Sequence, residues 1–308
     1  CHAPRLRVVR WVREKAEVMH FGLTDEQKMI VETTRAFVEA ELYPHEAEVE
    51  RTGHLRMDLI RELQAKAMAA GLYAANMPAE VGGAGLDTLS WLLYERELGR
   101  ANYALHWTCV ARPSNILLAG TEAQREKYLP GMARGEIYAC IGLSEPGSGS
   151  DLASVRTKAR LEGDEWVING EKHYISGAGS PRCKILITMV RSSPDAAPHK
   201  QQSMILIPKD TPGVKIIGPM HVFAEDHAPH GHMHIVFDNV RVPKDNMLLG
   251  EGRGFEISQL RLGPGRIHHC MRSIGQAEKA LELLVKRGAS REAFGKQLVW
   301  LGGNVEII

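Results

Sequence analysis

Ile141-Gly142-Leu143-Ser144-Glu145-Pro146-Gly147-Ser148-Gly149-Ser150-Asp151 sets glycines, hydroxyls and a carboxylate where backbone must come close to a polar ligand. Gly147 and Gly149 permit positive φ and carry no Cβ to block a phosphate or ring, while Ser144, Ser148 and Ser150 offer donors. On its own the run is also compatible with an ordinary Gly/Ser turn between a helix and a strand. The next segment, Asp164-Glu165-Trp166-Val167-Ile168-Asn169-Gly170-Glu171-Lys172-His173-Tyr174-Ile175-Ser176, alternates apolar and polar residues around Asn169-Gly170 and predicts a β-hairpin turning there. A donor-rich loop feeding a strand that ends in an aromatic ring and a hydroxyl suits a planar, phosphorylated ligand.

Outward from this centre the hydrophobic period changes twice. Thr24-Asp25-Glu26-Gln27 is a capping box, and Ile30, Phe37, Val38 and Leu42 keep one helical face until Pro44, which should end the helix. Helical spacing continues over residues 55–70 and 86–100, with Gly82, Gly83 and Gly85 breaking between them. From residue 140 a period of two takes over, through strands expected at 185–190, 204–207 and 234–242. Helices return at 257–262 and 274–285, with Gly263-Pro264-Gly265 expected to interrupt them and widen the space nearby. The order is α, then β, then α.

Composition bounds the function classes. The chain has 308 residues, 44% hydrophobic and 24% charged, with a formal net charge of +1, which gives no bulk electrostatic drive toward nucleic acid. No apolar run reaches ~18 residues, so no membrane-spanning helix is expected. Cys1, Cys109, Cys140, Cys183 and Cys270 form no Cys-x-x-Cys pair, which suits a reducing compartment. Residues 1–18 are basic and without helical periodicity, and are expected to lie outside the fold as upstream translated sequence; Glu14, Glu17 and the missing serines argue against a transit peptide. The run His227-Ala228-Pro229-His230-Gly231-His232-Met233-His234 invites a metal reading, since His230, His232 and His234 could share one strand face, but surface or domain-boundary histidines are the better account, and no metal is expected. The Gly250-Glu251-Gly252-Arg253-Gly254 run precedes no βαβ unit and is not a dinucleotide fingerprint.

The loop and the Asn-Gly segment resemble those of the acyl-CoA dehydrogenase family, whose members carry a Thr/Ser-Glu-Pro-Gly-x-Gly-Ser-Asp loop. Further segments agree in order: Pro78-Ala79-Glu80-Val81-Gly82-Gly83, Phe237-Asp238-Asn239-Val240-Arg241-Val242-Pro243, Gly252-Arg253-Gly254-Phe255 and Arg291-Glu292-Ala293-Phe294-Gly295-Lys296. The resemblance spans about residues 20–308, and the stretch 250–272 is most similar to the subgroup of family members ten and eleven. It implies an α+β multidomain fold: an N-terminal all-α domain (19–138), a small β-barrel-like middle domain (139–249) and the start of a C-terminal four-helix bundle (250–308).

The same resemblance implies an oxidoreductase of fatty acid β-oxidation and lipid metabolism. The implied reaction is FAD-dependent α,β-dehydrogenation of an acyl-CoA thioester to the trans-2-enoyl-CoA, with electrons passed to an electron-transfer flavoprotein. Carried over by position, Ile141, Leu143, Ser144, Gly149, Ser150, Tyr174, Ile175, Ser176, Arg291 and Phe294 would bind the cofactor. Ser150, Gly263, Pro264, Gly265 and Arg266 would meet the substrate. Tyr174 and Ser176 stand where Trp and Thr are common, and Arg291 matches an arginine that meets the FAD of a neighbouring subunit, implying a homodimer or homotetramer. The family's catalytic glutamate is expected beyond Ile308; the position used instead by some members, just before Arg266, is Gly265, so the chain as given is expected to be inactive. A non-catalytic flavin or acyl-CoA binding module and an acyl-CoA oxidase are the alternatives. The expected compartment is cytoplasmic for a bacterial protein and an organelle matrix for a eukaryotic one.

Overall fold

The computed structural model describes residues 22–109, 115–221 and 231–307. The expected leader at 1–18 and the histidines at 227 and 230 lie outside them.

The capping box forms as read: Thr24 Oγ1 accepts from the Gln27 N–H at 3.2 Å, and Gln27 Oε1 accepts from the Thr24 N–H at 3.1 Å. It opens α1 (Asp25–Phe37). Pro44 does not stop the helical path. The chain widens into a π-helical turn, Val38–Leu42, and Pro44 sits in the first turn of α2 (Tyr43–Thr52), where a missing N–H leaves no bond unmade. Helices α3 (Met57–Ala69), α4 (Thr88–Leu98), α5 (Tyr103–Cys109) and α6 (Glu122–Ala133) complete the N-terminal helical part.

Eight strands then form one sheet: β1 (Tyr138–Gly142), β2 (Lys158–Glu162), β3 (Glu165–Ser176), β4 (Cys183–Arg191), β5 (Gln202–Pro208), β6 (Val214–Pro219), β7 (His232–Pro243) and β8 (Met247–Leu248). The order is β6-β7-β3-β2-β4-β5-β8, with β1 parallel to β4. The expected hairpin at Asn169-Gly170 is not there. The turn falls at Gly163-Asp164, with Glu162 opposite Glu165, and β3 runs straight through Asn169-Gly170. That pair serves the sheet instead: Asn169 Oδ1 accepts the Asn239 N–H at 2.8 Å, and a Cβ on Gly170 would stand 2.6 Å from Thr157 Cα. Glycine is there because a neighbouring strand end leaves no room for a side chain.

Both faces of β4 and β5 are covered. Ile185, Ile187, Met189, Met204 and Leu206 join the core of the N-terminal helices, while Leu186, Val190, Ile205 and Ile207 join a second core with Trp166, Ile168 and Phe237. This is why residues 185–190 read as a nearly continuous apolar run rather than an alternation. Cys140 and Cys183, remote in sequence, meet in the second core with their sulfurs 3.4 Å apart.

The final long element is α7 (Gly254–Ser290), 37 residues without interruption. The expected break at Gly263-Pro264-Gly265 does not occur. Pro264 removes one i→i−4 hydrogen bond, but the turns on either side are docked through buried Ile257, Ser258, His268 and Arg272, and that packing outweighs the local loss. The inference of a widened space drawn from a broken helix therefore falls with it. Despite its length, α7 is not apolar enough to cross a membrane, nor is any other helix among the described residues.

Helix α7 crosses α4 at very short range. A Cβ on Gly275 would lie 2.0 Å from the Arg96 carbonyl oxygen, and one on Gly99 would lie 2.5 Å from the Arg272 carbonyl oxygen. Ion pairs flank the crossing, Arg96 with Glu278 and Arg100 with Glu282, the latter at 2.7 Å. Gly275→Ala should therefore cost about 1–3 kcal/mol or more in urea unfolding, because two backbones must separate. Gly263→Ala on the same helix, with nothing within 4 Å of its Cβ position, should be neutral or stabilising by up to about 1 kcal/mol.

Candidate functional site

The loop after β1 is held by a buried ion pair. Lys172, from β3, places Nζ 2.7 Å from Glu145 Oε1 and 3.0 Å from the Leu143 carbonyl oxygen. The side chains are 0% and 5% exposed. Glu145 also accepts the backbone N–H groups of Arg156 at 2.5 Å and Thr157 at 3.0 Å. Burial alone would push this carboxyl up, but Lys172 and the N–H donors outweigh it and hold it below its usual range. Burial pushes Lys172 down to about 8 against the opposing pull of Glu145, so at neutral pH both partners are charged.

Around this pair the loop closes on itself. Glu145 and Ser148 exchange backbone hydrogen bonds at 2.8 and 3.1 Å, Ser148 Oγ donates to the Asp151 carbonyl, and Ser154 Oγ donates to the Asp151 carboxylate. Neither Gly147 nor Gly149 has positive φ, contrary to the reason expected for them, and nothing stands within 4 Å of either Cβ position. Their lack of side chains keeps the outer rim of the loop open. Ser144 is half-buried and Ser150 exposed, and the Ser144 carbonyl accepts the His173 N–H at 2.9 Å, tying the loop to β3 beside Tyr174.

Tyr174 is not a core aromatic. It is 50% exposed with φ at +57°, in the left-handed region that a ring-bearing residue rarely adopts, and its N–H points to Met220 Sδ at 3.4 Å. A register shift between β3 and β7 over residues 172–175 accompanies the kink and turns the ring outward. Ile175 is buried in the sheet core, leaving only its backbone for a ligand, and Ser176 Oγ lies 2.7 Å from His232 Nδ1. The loop, Tyr174 and Ser176 therefore belong to one neighbourhood.

The remaining sequence-predicted residues lie elsewhere. Gly263, Pro264, buried Gly265 and exposed Arg266 are on α7, next to Leu262, which packs on the same core as Ile141 and Leu143. Arg291 caps the end of α7 and leads into a separate hairpin, β9 (Glu292–Ala293) and β10 (Lys296–Gln297). Phe294 and Gly295 form its two-residue turn with φ of +53° and +73°, and Phe294 is 95% exposed. The hairpin forms a two-stranded sheet of its own, separate from the eight-stranded sheet that flanks the loop of residues 141–151. Glu145 and Lys172 carry no obvious mark in the sequence; the one available signal was a lysine on a strand whose neighbours Trp166, Ile168 and Ile175 are apolar.

Residues 24–136, 140–240 and 252–300 match the N-terminal, middle and C-terminal domains of acyl-CoA dehydrogenase in that order. Mouse "Acyl-CoA dehydrogenase family member 10" is 40% identical over 297 residues, covering 91% of this chain and 28% of that protein. A solved putative acyl-CoA dehydrogenase from Mycobacterium abscessus superposes with a TM-score of 0.83 at 37% identity, over 93% of this chain and 75% of that one. A glutaryl-CoA dehydrogenase from Mycobacterium smegmatis, solved in complex with FADH2, superposes with a TM-score of 0.78 at 25% identity, over 92% and 70% of the two chains. The chain spans about a third of the length of its relatives among family members ten and eleven.

Breaking the buried pair from one side should be costly. Lys172→Met leaves the Glu145 carboxylate buried without its counter-charge and should lose about 3–5 kcal/mol in guanidinium unfolding, whereas Lys172→Met with Glu145→Leu should recover much of that loss. A single-variant cost under about 1 kcal/mol would show that water reaches the pair.

Proposed function

The chain belongs to the acyl-CoA dehydrogenase family, and from that premise we propose that it binds FAD and an acyl-CoA thioester for α,β-dehydrogenation to the trans-2-enoyl-CoA. Electrons would pass to an electron-transfer flavoprotein. One observation carries this reading: a loop rich in donors, pinned by a buried ion pair, lies hydrogen-bonded to the residue before an outward-facing, left-handed Tyr174. Such a surface offers both ring contact and hydrogen bonds to a flat heterocycle.

When bound, FAD supplies the two-electron oxidant. Main-chain groups of residues 141–144 and the Ser144 hydroxyl would hold the pyrimidine edge, with Gly149 leaving room. Tyr174 would lie against the ring system, Ile175 contributing backbone, and Ser176 would supply a hydroxyl oriented by His232. Ser150, exposed at the loop rim, would meet pyrophosphate or the CoA entrance. Arg291 and the projecting Phe294 would reach a neighbouring subunit's cofactor, making the functional form a homodimer or homotetramer. On α7, Arg266 would pair with a CoA phosphate, with Gly263 and Pro264 beside it.

The α-proton needs a base, and at the position before Arg266 the chain carries glycine. The buried Gly265 faces the tip of Arg261, whose Nη1 would lie 2.8 Å from a Cβ there. The base would therefore have to be a residue other than the one before Arg266. A thioester α-proton is weakly acidic, so donors at its carbonyl and exclusion of water would have to accompany that base.

Two measurements test this. Tyr174→Ala should weaken FAD binding by about tenfold in a fluorescence-quenching titration while leaving unfolding stability within about 1 kcal/mol, since the ring is half-exposed and its backbone strained; unchanged FAD affinity would remove Tyr174 from the site. Anaerobic addition of straight and branched acyl-CoAs to the flavin-loaded, full-length protein should bleach the visible flavin band. Bound flavin that stays oxidised with every thioester would favour a non-catalytic flavin or acyl-CoA binding module, and rapid reoxidation by dioxygen would favour an acyl-CoA oxidase.

A further inference from the structure

Glu171, His173 and His234 converge on one face of the sheet from two different strands. Glu171 and His173 are two residues apart on β3 and share a side, and β7 runs antiparallel alongside with Glu171 opposite Val236 and Lys172 opposite Ile235. This sets His234 next to His173. The imidazole rings are 4.4 Å apart at 78°, His234 Nε2 is 2.9 Å from Glu171 Oε2, and His173 Nε2 is 3.8 Å from the same oxygen. One ligand atom from each of the three lies within 4.8 Å of the other two.

We propose that Glu171, His173 and His234 form a binding site for a divalent transition-metal ion of the zinc type. Two imidazoles and a carboxylate match the borderline ligand preference of Zn2+, with a fourth position left to water or a small anion. A tetrahedral ion with bonds of about 2.0–2.2 Å needs ligand atoms about 3.3–3.6 Å apart. The present separations bracket that range, so small side-chain rotations close the site without moving either strand. The residues are partly covered, with side-chain exposures of 19% for His173, 26% for His234 and 46% for Glu171, which leaves an entry path.

The supports of the site are fixed. The Glu171 carbonyl accepts Thr157 Oγ1 at 3.2 Å, and the His173 N–H is committed to the Ser144 carbonyl. An ion here would clamp β3 to β7 directly beside Tyr174 and stiffen the strand to which the loop of residues 141–151 is tied. The sequence pattern suggested ligands only within the histidine run at 230–234; the partners of His234 instead lie across the strand pair, some 60 residues earlier.

The test uses the purified chain and metal alone. Equilibrium dialysis against Zn2+ should give one equivalent per chain, and Co2+ should give the visible bands of a four- or five-coordinate nitrogen and oxygen site. His173→Ala and His234→Ala should each raise Kd by at least about tenfold, and should abolish the rise in Tm that Zn2+ gives the parent protein. Glu171→Gln and His234→Gln keep size and hydrogen bonding at partly exposed positions and carry the test if either alanine variant misfolds. Failure of stoichiometric uptake, equal binding by all these variants, or a thiolate absorption lost with Cys270→Ser would overturn the assignment.

Discussion

The Lys172–Glu145 pair is the constraint on which the candidate site rests. A loop made largely of glycine and serine loses much conformational entropy on ordering and has almost no apolar side chain with which to offset it. Here a carboxylate in the loop is taken out of water and met by an ammonium from β3 together with two backbone N–H groups, so each oxygen of that carboxylate has a donor. Replacing such a pair by apolar residues often leaves stability unchanged. What apolar residues would not reproduce is direction: Lys172 Nζ also binds the Leu143 carbonyl, so one side chain sets the path of the loop before and after Ser144.

A second constraint, of a different kind, joins the N-terminal helices to the last long helix. The crossing of α4 and α7 is decided by the absence of side chains at Gly99 and Gly275, with backbone against backbone. The flanking ion pairs are weaker determinants, since Arg96–Glu278 is partly solvated and exposed pairs contribute about 0–1 kcal/mol. Arg100 is the exception, its side chain nearly buried and both guanidinium-to-carboxylate contacts to Glu282 at 2.7 Å. Along an adjoining face of α7, Leu260, Ile267, Ile274 and Leu281 recur every seven residues and are exposed. A seven-residue apolar period is the seam along which helices pack nearly parallel, as a four-helix bundle requires.

Local signals were legible where local physics decides. The Thr24 box, the helical face of the first helix and the existence of a strand at 185–190 read correctly because capping, periodicity and a short apolar run are written in neighbouring residues, although the expected period of two along that strand gave way to burial on both faces. Pro44 and Gly263-Pro264-Gly265 misled, because a π-helical turn and the docking of adjacent turns are tertiary solutions to a local fault. Asn169-Gly170 carried the strongest hairpin signal in the chain, yet Gly163-Asp164 took the turn. The Asn side chain was needed by Asn239 and the bare Gly by Thr157, both far away in sequence. Lys172 with Glu145, and His173 with His234, escaped notice for the same reason: each partner is ordinary alone and informative only across 27 or about 60 residues.

Two aromatic residues, Tyr174 and Phe294, sit in the left-handed region at +57° and +53°. Each costs of order 1–3 kcal/mol relative to a residue suited to that conformation, and glycine would relieve it. Burial does not compensate, because the rings are 50% and 95% exposed. Folding physics alone therefore favours neither ring: the backbone is strained to present an apolar surface to water. Tyr174 is held there by its neighbours, with His173 bonded to the loop on one side and Ile175 locked in the sheet core on the other. Strain and exposure together are most simply balanced by something that covers the ring. For Tyr174 that would be the flat ligand proposed above, and for Phe294, exposed at the tip of its hairpin, it would be a surface belonging to another molecule.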